Sequence, residues 1–305
     1  MKTGSSRASL LALASIAAGL AGSAQSVYAH GFSFNDVDAP RWSFDPWIVV
    51  PLAAALLLFA IGVARLHHRS GATANRRWQI GAYLAGWFAL AGALVSPLHW
   101  LGERLFTFHM IEHEIVMAVA APLLVLARPA GLLLWGLAGR LRRATGAAAR
   151  RLRGPWQWLT SAGNATWLHG LAIWVWHVPP LFDAAISSVP LHRAQHLSFL
   201  LTALLFWWSM LRRSNPGSAI WHLFLTMMHT SVLGALMTLA PRVLYQLQTA
   251  AAPLYGLTPL EDQQLAGVIM WVPAETVYAG AALALAAKWL RASDAPGQAA
   301  PAMDA

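Results

Sequence analysis

Residues 107–127 read TFHMIEHEIVMAVAAPLLVLA, and this stretch decides how the rest of the chain is understood. Its second half is the apolar run of a membrane-buried helix, and the whole has the length that crosses a bilayer. Its first half carries His109, Glu112, His113 and Glu114 within six residues. Ionisable groups at a membrane boundary are costly and are rarely kept without a partner. The stretch therefore predicts a spanning helix whose polar head has work to do.

Composition agrees with a lipid solvent. Of 305 residues, 57% are hydrophobic and 11% charged, against about 25% charged in ordinary soluble domains. The net charge of +9 is not arranged as a nucleic-acid footprint, because the basic residues fall in short gaps between apolar runs. There is no cysteine, so disulfides and thiolate metal sites are excluded, and soft-metal chemistry is left to Met thioether and His imidazole.

Seven apolar stretches approach the roughly 20 residues that span a bilayer: about 47–66, 78–98, 108–127, 159–177, 194–211, 219–240 and 265–287. The predicted fold is all-α, a polytopic bundle of about seven transmembrane helices over 47–290. Before it come a signal peptide at 1–29, from Lys2, Arg7 and the run SLLALASIAAGLAGSA, and a periplasmic segment at 30–46. After it comes a disordered cytoplasmic tail at 291–305. Arginine and lysine crowd alternate gaps (65–77, 128–158, 212–218 and beyond 287), while the opposite gaps hold only Arg41, Arg104, Arg193 and Arg242. The crowded set is expected in the cytoplasm. That places the mature amino terminus in the periplasm and the carboxyl terminus inside a bacterial inner membrane.

With this topology the histidines sort to one face. His99 follows span two, His109 and His113 open span three, His177 closes span four, and His192 and His196 flank the start of span five. Asp262 and Gln263 precede span seven on the same side. His109 and His113 are four apart and share a helix face, with Met117 continuing the stripe. Imidazoles at this spacing, with Met110 or Glu112 beside them, can form part of a metal site; imidazole suits copper, zinc, iron and nickel, and thioether favours Cu(I). HMIEH also fits H-x-x-E-H, the inverted zinc-protease motif, though no third ligand is evident. His169, His222 and Glu275 lie inside spans. Met227, Met228 and His229 could serve as an inner relay for a soft ion.

Four blocks carry a family likeness: SPLHWLGERLFTFHMIEHEIVMAVAAPLLVLARP, WHVPPLFDAAISS, HRAQHLSFLLTALLFWW and GLTPLEDQQLAGVIMWVP. They resemble the multi-span CtaG family, assembly factors for cytochrome c oxidase of the caa type, over roughly residues 78–287. The resemblance implies a non-enzymatic membrane protein that helps mature the oxidase by handling copper, with oxidase subunits as partners. The matching positions are His109, Met110, His113, His177, His196, Asp262 and Gln263. The expected site is thus Cu(I) on His109, His113, His177 and His196. Met110, Glu112, Met117, His192, His229 and Gln263 are possible auxiliaries, and Asp262 is expected to orient a ligand imidazole. A membrane haem protein and a copper importer are the alternatives.

Overall fold

The computed structural model describes residues 39–70 and 74–293; the expected signal peptide lies outside the described residues. Most of those residues are helical, with no strand among them. The helices are α1 (Pro46–Ser70), α2 (Ala74–Val95), α3 (Pro97–Gly102) and α4 (Phe106–Ala127). A basic excursion follows: α5 (Ala130–Gly136), α6 (Gly139–Arg151) and α7 (Arg153–Leu159). Then come α8 (Ala162–Trp176), α9 (Pro179–Ser187), α10 (Val189–Arg213), α11 (Pro216–Thr238), α12 (Pro259–Trp271) and α13 (Pro273–Ser293). The chain is a membrane protein. Among the described residues six helices are long and apolar enough to cross a bilayer: α1, α2, α4, α10, α11 and the α12–α13 rod.

The expected fourth span differs. The apolar run 159–177 becomes the 15-residue α8, about 22 Å long at the α-helical rise and short of a bilayer core. Its start is cut back by hydroxyls. Thr160 Oγ1 donates to Trp156 O at 2.7 Å and Ser161 Oγ to Trp158 O at 2.9 Å, and such side-chain bonds compete with helix continuation. Even so, α8 runs between the two ends of the bundle. Arg213 donates to Gln157 O and Thr160 Oγ1 just before its start, and His177 caps its far end beside the other histidines.

α4 and α10 run parallel, their histidines at one end, with Arg128 just past the other end of α4 and Arg212 and Arg213 at the other end of α10. α4 bends through a π-helical turn at Ile115–Ala120, and the cause is local. Pro122 has no N–H and its ring crowds the carbonyl of residue 118. The widened turn sends the Ala121 N–H back to Val116 O, which releases Met117 O to accept Trp207 Nε1 of α10 at 2.9 Å. At the opposite end Arg212 donates to Val125 O and Leu126 O, and Arg65 donates to the last carbonyls of α5. These guanidiniums satisfy helix C-termini, where cations are favoured.

The main apolar cluster lies between α4 and α8–α13 and includes Met110, Met117, Phe199, Phe206, Trp207 and Tyr278. A second, with Phe59 stacked on Tyr83 at 3.7 Å, joins α1, α2 and α5. Two pairs of glycines let backbones touch, as small residues do in membrane interfaces. A Cβ on Gly62 or Gly136 would strike the carbonyl of Leu132 or Leu58, so α1 and α5 pack at backbone distance. Gly234 and Gly267 do the same for α11 and α12. Outward faces carry Leu57, Phe88, Trp167, Leu201, Leu236 and Leu283, all exposed, as a lipid-facing surface requires.

Candidate metal centre

The turn Ser96–Leu105 and the first two turns of α4 build the polar head. Ser96 caps α3, accepting from Leu98 N–H at 3.2 Å. Leu105 precedes α4 with extended backbone and offers no side-chain cap. The cap comes instead from 156 residues away. Both oxygens of Asp262 are used: Phe106 N–H donates to Oδ2 at 2.7 Å, and Thr107 N–H and Oγ1 donate to Oδ1 at 3.0 and 2.8 Å. Asp262 is fully buried. It fixes the start of the histidine helix and does not orient an imidazole, which corrects the expectation for it. Gln263 beside it accepts from Leu244 N–H at 2.6 Å and so pins the loop after α11. Asp262→Ala would remove two buried caps; a loss of about 2 kcal/mol is expected, read as a lower midpoint in thermal unfolding, with Asp262→Asn losing less.

His109, His113 and His196 meet. One ring nitrogen from each lies within 4.8 Å of the others, and ring centroids are 4.3 Å apart for His109–His113 and 4.9 Å for His113–His196. His109 and His113 are 1% exposed. Neither nitrogen of His113 has a hydrogen-bond partner among the described residues, nor does Nε2 of His196. Buried imidazoles normally satisfy at least one nitrogen, so a donor set of this kind fits a metal ion. His177 stands next to the triad, its ring 6.5 Å from His113. Its Nδ1 donates to Ile173 O at 2.7 Å, which leaves Nε2 as the lone-pair nitrogen facing outward from that bond. His192 stacks on His196 at 4.5 Å.

Glu112, expected as a possible auxiliary, is the hub of the cluster. Its Oε1 lies 2.9 Å from His99 Nδ1 and 3.4 Å from His196 Nδ1. It therefore holds the back of one triad imidazole, the arrangement that orients metal-ligating histidines. Gly102 makes room for it, since a Cβ there would lie 2.9 Å from Glu112 Oε2. Burial opposes a charge on His99, but the Glu112 carboxylate outweighs it, and the pKa of His99 is pushed up to about 9. A pKa raised on folding contributes stability that is complete below 6.5 and is lost as pH rises through about 9. The metal-free protein should accordingly melt lower at about pH 10 than at about pH 6, and Glu112→Gln should flatten that dependence.

The other expected residues lie elsewhere. Met110 and Met117 are in the main apolar cluster. His229 packs on Gly170 and accepts from Trp174 Nε1 at 3.4 Å, in a separate mid-membrane group with His169 and Tyr278, whose Oη is 3.5 Å from His169 Nε2. Residues under the triad went unread in the sequence: Tyr245 Oη donates to His177 O and Gln248 Nε2 to Gly102 O, each at 2.7 Å. They sit in an irregular loop between apolar runs, where neither spacing nor motif marks them.

A family model described as cytochrome c oxidase caa3 assembly factor (Caa3_CtaG) matches residues 57–292. Among curated proteins, an uncharacterized protein of Mycobacterium leprae (strain TN) is 27% identical over 272 residues, 82% of this chain and 40% of its own length. An uncharacterized protein of Mycobacterium tuberculosis (strain CDC 1551 / Oshkosh) is 27% identical over 270 residues, covering 82% and 39%. The chain thus spans about two-fifths of the length of these relatives. No solved structure matches.

Proposed function

Because the chain belongs to the cytochrome c oxidase caa3 assembly factor family, we propose that its part in oxidase assembly is to bind copper at His109, His113 and His196 and pass it to an oxidase subunit. The observation that carries this reading is the buried imidazole triad with His113 bare at both nitrogens. Three neutral nitrogen donors can hold Cu(I) in trigonal geometry and do not demand thiolate. Glu112 keeps the His196 ring turned toward the ion, and Asp262 keeps α4 in register. His177 and His192, one step away, are positioned to take over a ligand place during transfer. The arginine-capped end faces the cytoplasm and the histidine end the periplasm, in keeping with the bias of basic residues.

The test is X-ray absorption at the copper edge on purified, Cu(I)-loaded protein. Nitrogen scatterers near 2 Å, with histidine outer-shell features, are expected. Sulfur-dominated scattering or substoichiometric copper would refute the triad. An absorption spectrum of the same sample tests the haem alternative, which requires a Soret band.

A further inference from the structure

At the end of the bundle opposite the triad, a cavity of about 270 Å³ lies between the end of α1, the start of α2 and the start of α5. Arg76, Asn75 and Gln79 line it from α2, and Arg128 lines it from the turn between α4 and α5. Leu66, Leu132 and the Trp135 ring form its apolar wall. α1 and α2 are spanning helices, so their shared end stands where hydrocarbon gives way to headgroups. The volume suits a headgroup and not a whole lipid.

Positive charge at this end is left uncancelled. The gaps 65–77, 128–158 and 212–218 are rich in arginine and contain no Asp or Glu. The arginines engaged here have neutral partners. Arg65, Arg212 and Arg213 donate to carbonyls and to the Thr160 hydroxyl, and Arg69 and Arg142 lie over the Trp135 ring at 4.8 and 4.3 Å. A bond to neutral oxygen does not remove a charge, and Arg128 and Arg212 still repel one another. A guanidinium also has five donors, so one contact leaves others for a ligand.

Arg128 decides what the cavity is for. It sits at φ 51° and ψ 51°, in the left-handed region, just past the end of α4. Among the described residues it alone has a positive φ without being glycine. Glycine or asparagine normally takes that position, and strain kept at one residue is a mark of use. The turn spends it on placing a guanidinium in the cavity lining. Guanidiniums recognise phosphate oxygens, and basic pockets between spanning helices hold anionic lipid headgroups. We propose that the cavity binds the phosphodiester headgroup of an anionic phospholipid, with Arg128 and Arg76 on the phosphate, Asn75 and Gln79 donating beside them, and the acyl chains leaving along Leu66 and Leu132.

The site shares no residue with the triad, so the two proposals stand or fall separately. Purified full-length protein in a neutral detergent is titrated calorimetrically, at fixed ionic strength, with dioctanoyl phosphatidylglycerol, dioctanoyl phosphatidylcholine and inorganic phosphate. Saturable binding of the phosphatidylglycerol is expected, tighter than that of either control. Arg128→Gly should weaken it about 10-fold or more while leaving the thermal midpoint equal or higher, since glycine relieves the left-handed backbone. Gly131→Leu, at a lining position where a Cβ meets nothing within 4 Å, should weaken it by occupying the space. Arg150→Gln, in α6 and outside the lining, should leave it unchanged. Absence of saturable binding overturns the proposal, as does wild-type affinity in Arg128→Gly. Phosphatidylcholine binding as tightly would mark an ordinary lipid contact, and inorganic phosphate binding as tightly would mark a site for soluble anions; either result overturns it. An equal loss in Arg150→Gln would assign the binding to the diffuse charge of the basic end and overturn it too.

Discussion

His113→Ala should bind copper far more weakly than the wild-type protein. Loss of a partner that only orients a ligand costs roughly 10- to 100-fold in metal affinity, and removal of the ligand between His109 and His196 should exceed that. Glu112→Gln should fall inside that interval, because His196 keeps its place but loses its carboxylate. His229→Ala should change nothing, since that ring sits with Trp174 and Gly170 in another part of the bundle. A competition titration with a Cu(I) chelator ranks all three. Equal affinity for His113→Ala and wild type would remove the triad from the chemistry.

How much of this site could be read beforehand follows from what kind of contact each residue makes. Apolar runs mark spans because a bilayer imposes a length, and the arginine bias then sorts His99, His109, His113, His177, His192 and His196 to one end. Helical spacing pairs His109 with His113. Beyond that the signal fails wherever a contact joins distant parts of the chain. Asp262 looked like an outer-face carboxylate available to an imidazole, yet its oxygens are consumed by the backbone at Phe106 and Thr107. Glu112 was expected only as an auxiliary beside the ligands, and its carboxylate in fact faces both His99 and His196. The helix at 159–177 is shorter than hydropathy predicts, because hydropathy does not register the hydroxyl bonds of Thr160 and Ser161.

Gly267→Leu should be the most damaging change outside the histidines. A Cβ at this position would lie 2.4 Å from Thr238 Oγ1, 2.6 Å from Gly234 O and 2.7 Å from Thr238 N. Two of these are backbone atoms of α11 and cannot turn aside, so α11 and α12 must separate. Overpacking of this kind costs typically 1–3 kcal/mol, occasionally more, and a branched side chain against backbone belongs at the upper end, about 3 kcal/mol. α12 carries Asp262, so the loss reaches α4 and should lower copper affinity as well as the unfolding midpoint. Gly92→Ala is the control, since a Cβ there meets nothing within 4 Å. A Gly267→Leu protein that melts with the wild type would show that the helix crossing is loose.

The cap on α4 also dictates an order of events during biosynthesis. Phe106 and Thr107 emerge from the ribosome long before their acceptor, which arrives only with the penultimate helix. Until then the helix bearing His109 and His113 has a ragged beginning, and its rings have no defined partner positions. The imidazole cluster proposed to hold copper is therefore complete only once α12 is in place, and a chain cut before Asp262 lacks the cap that fixes the start of α4.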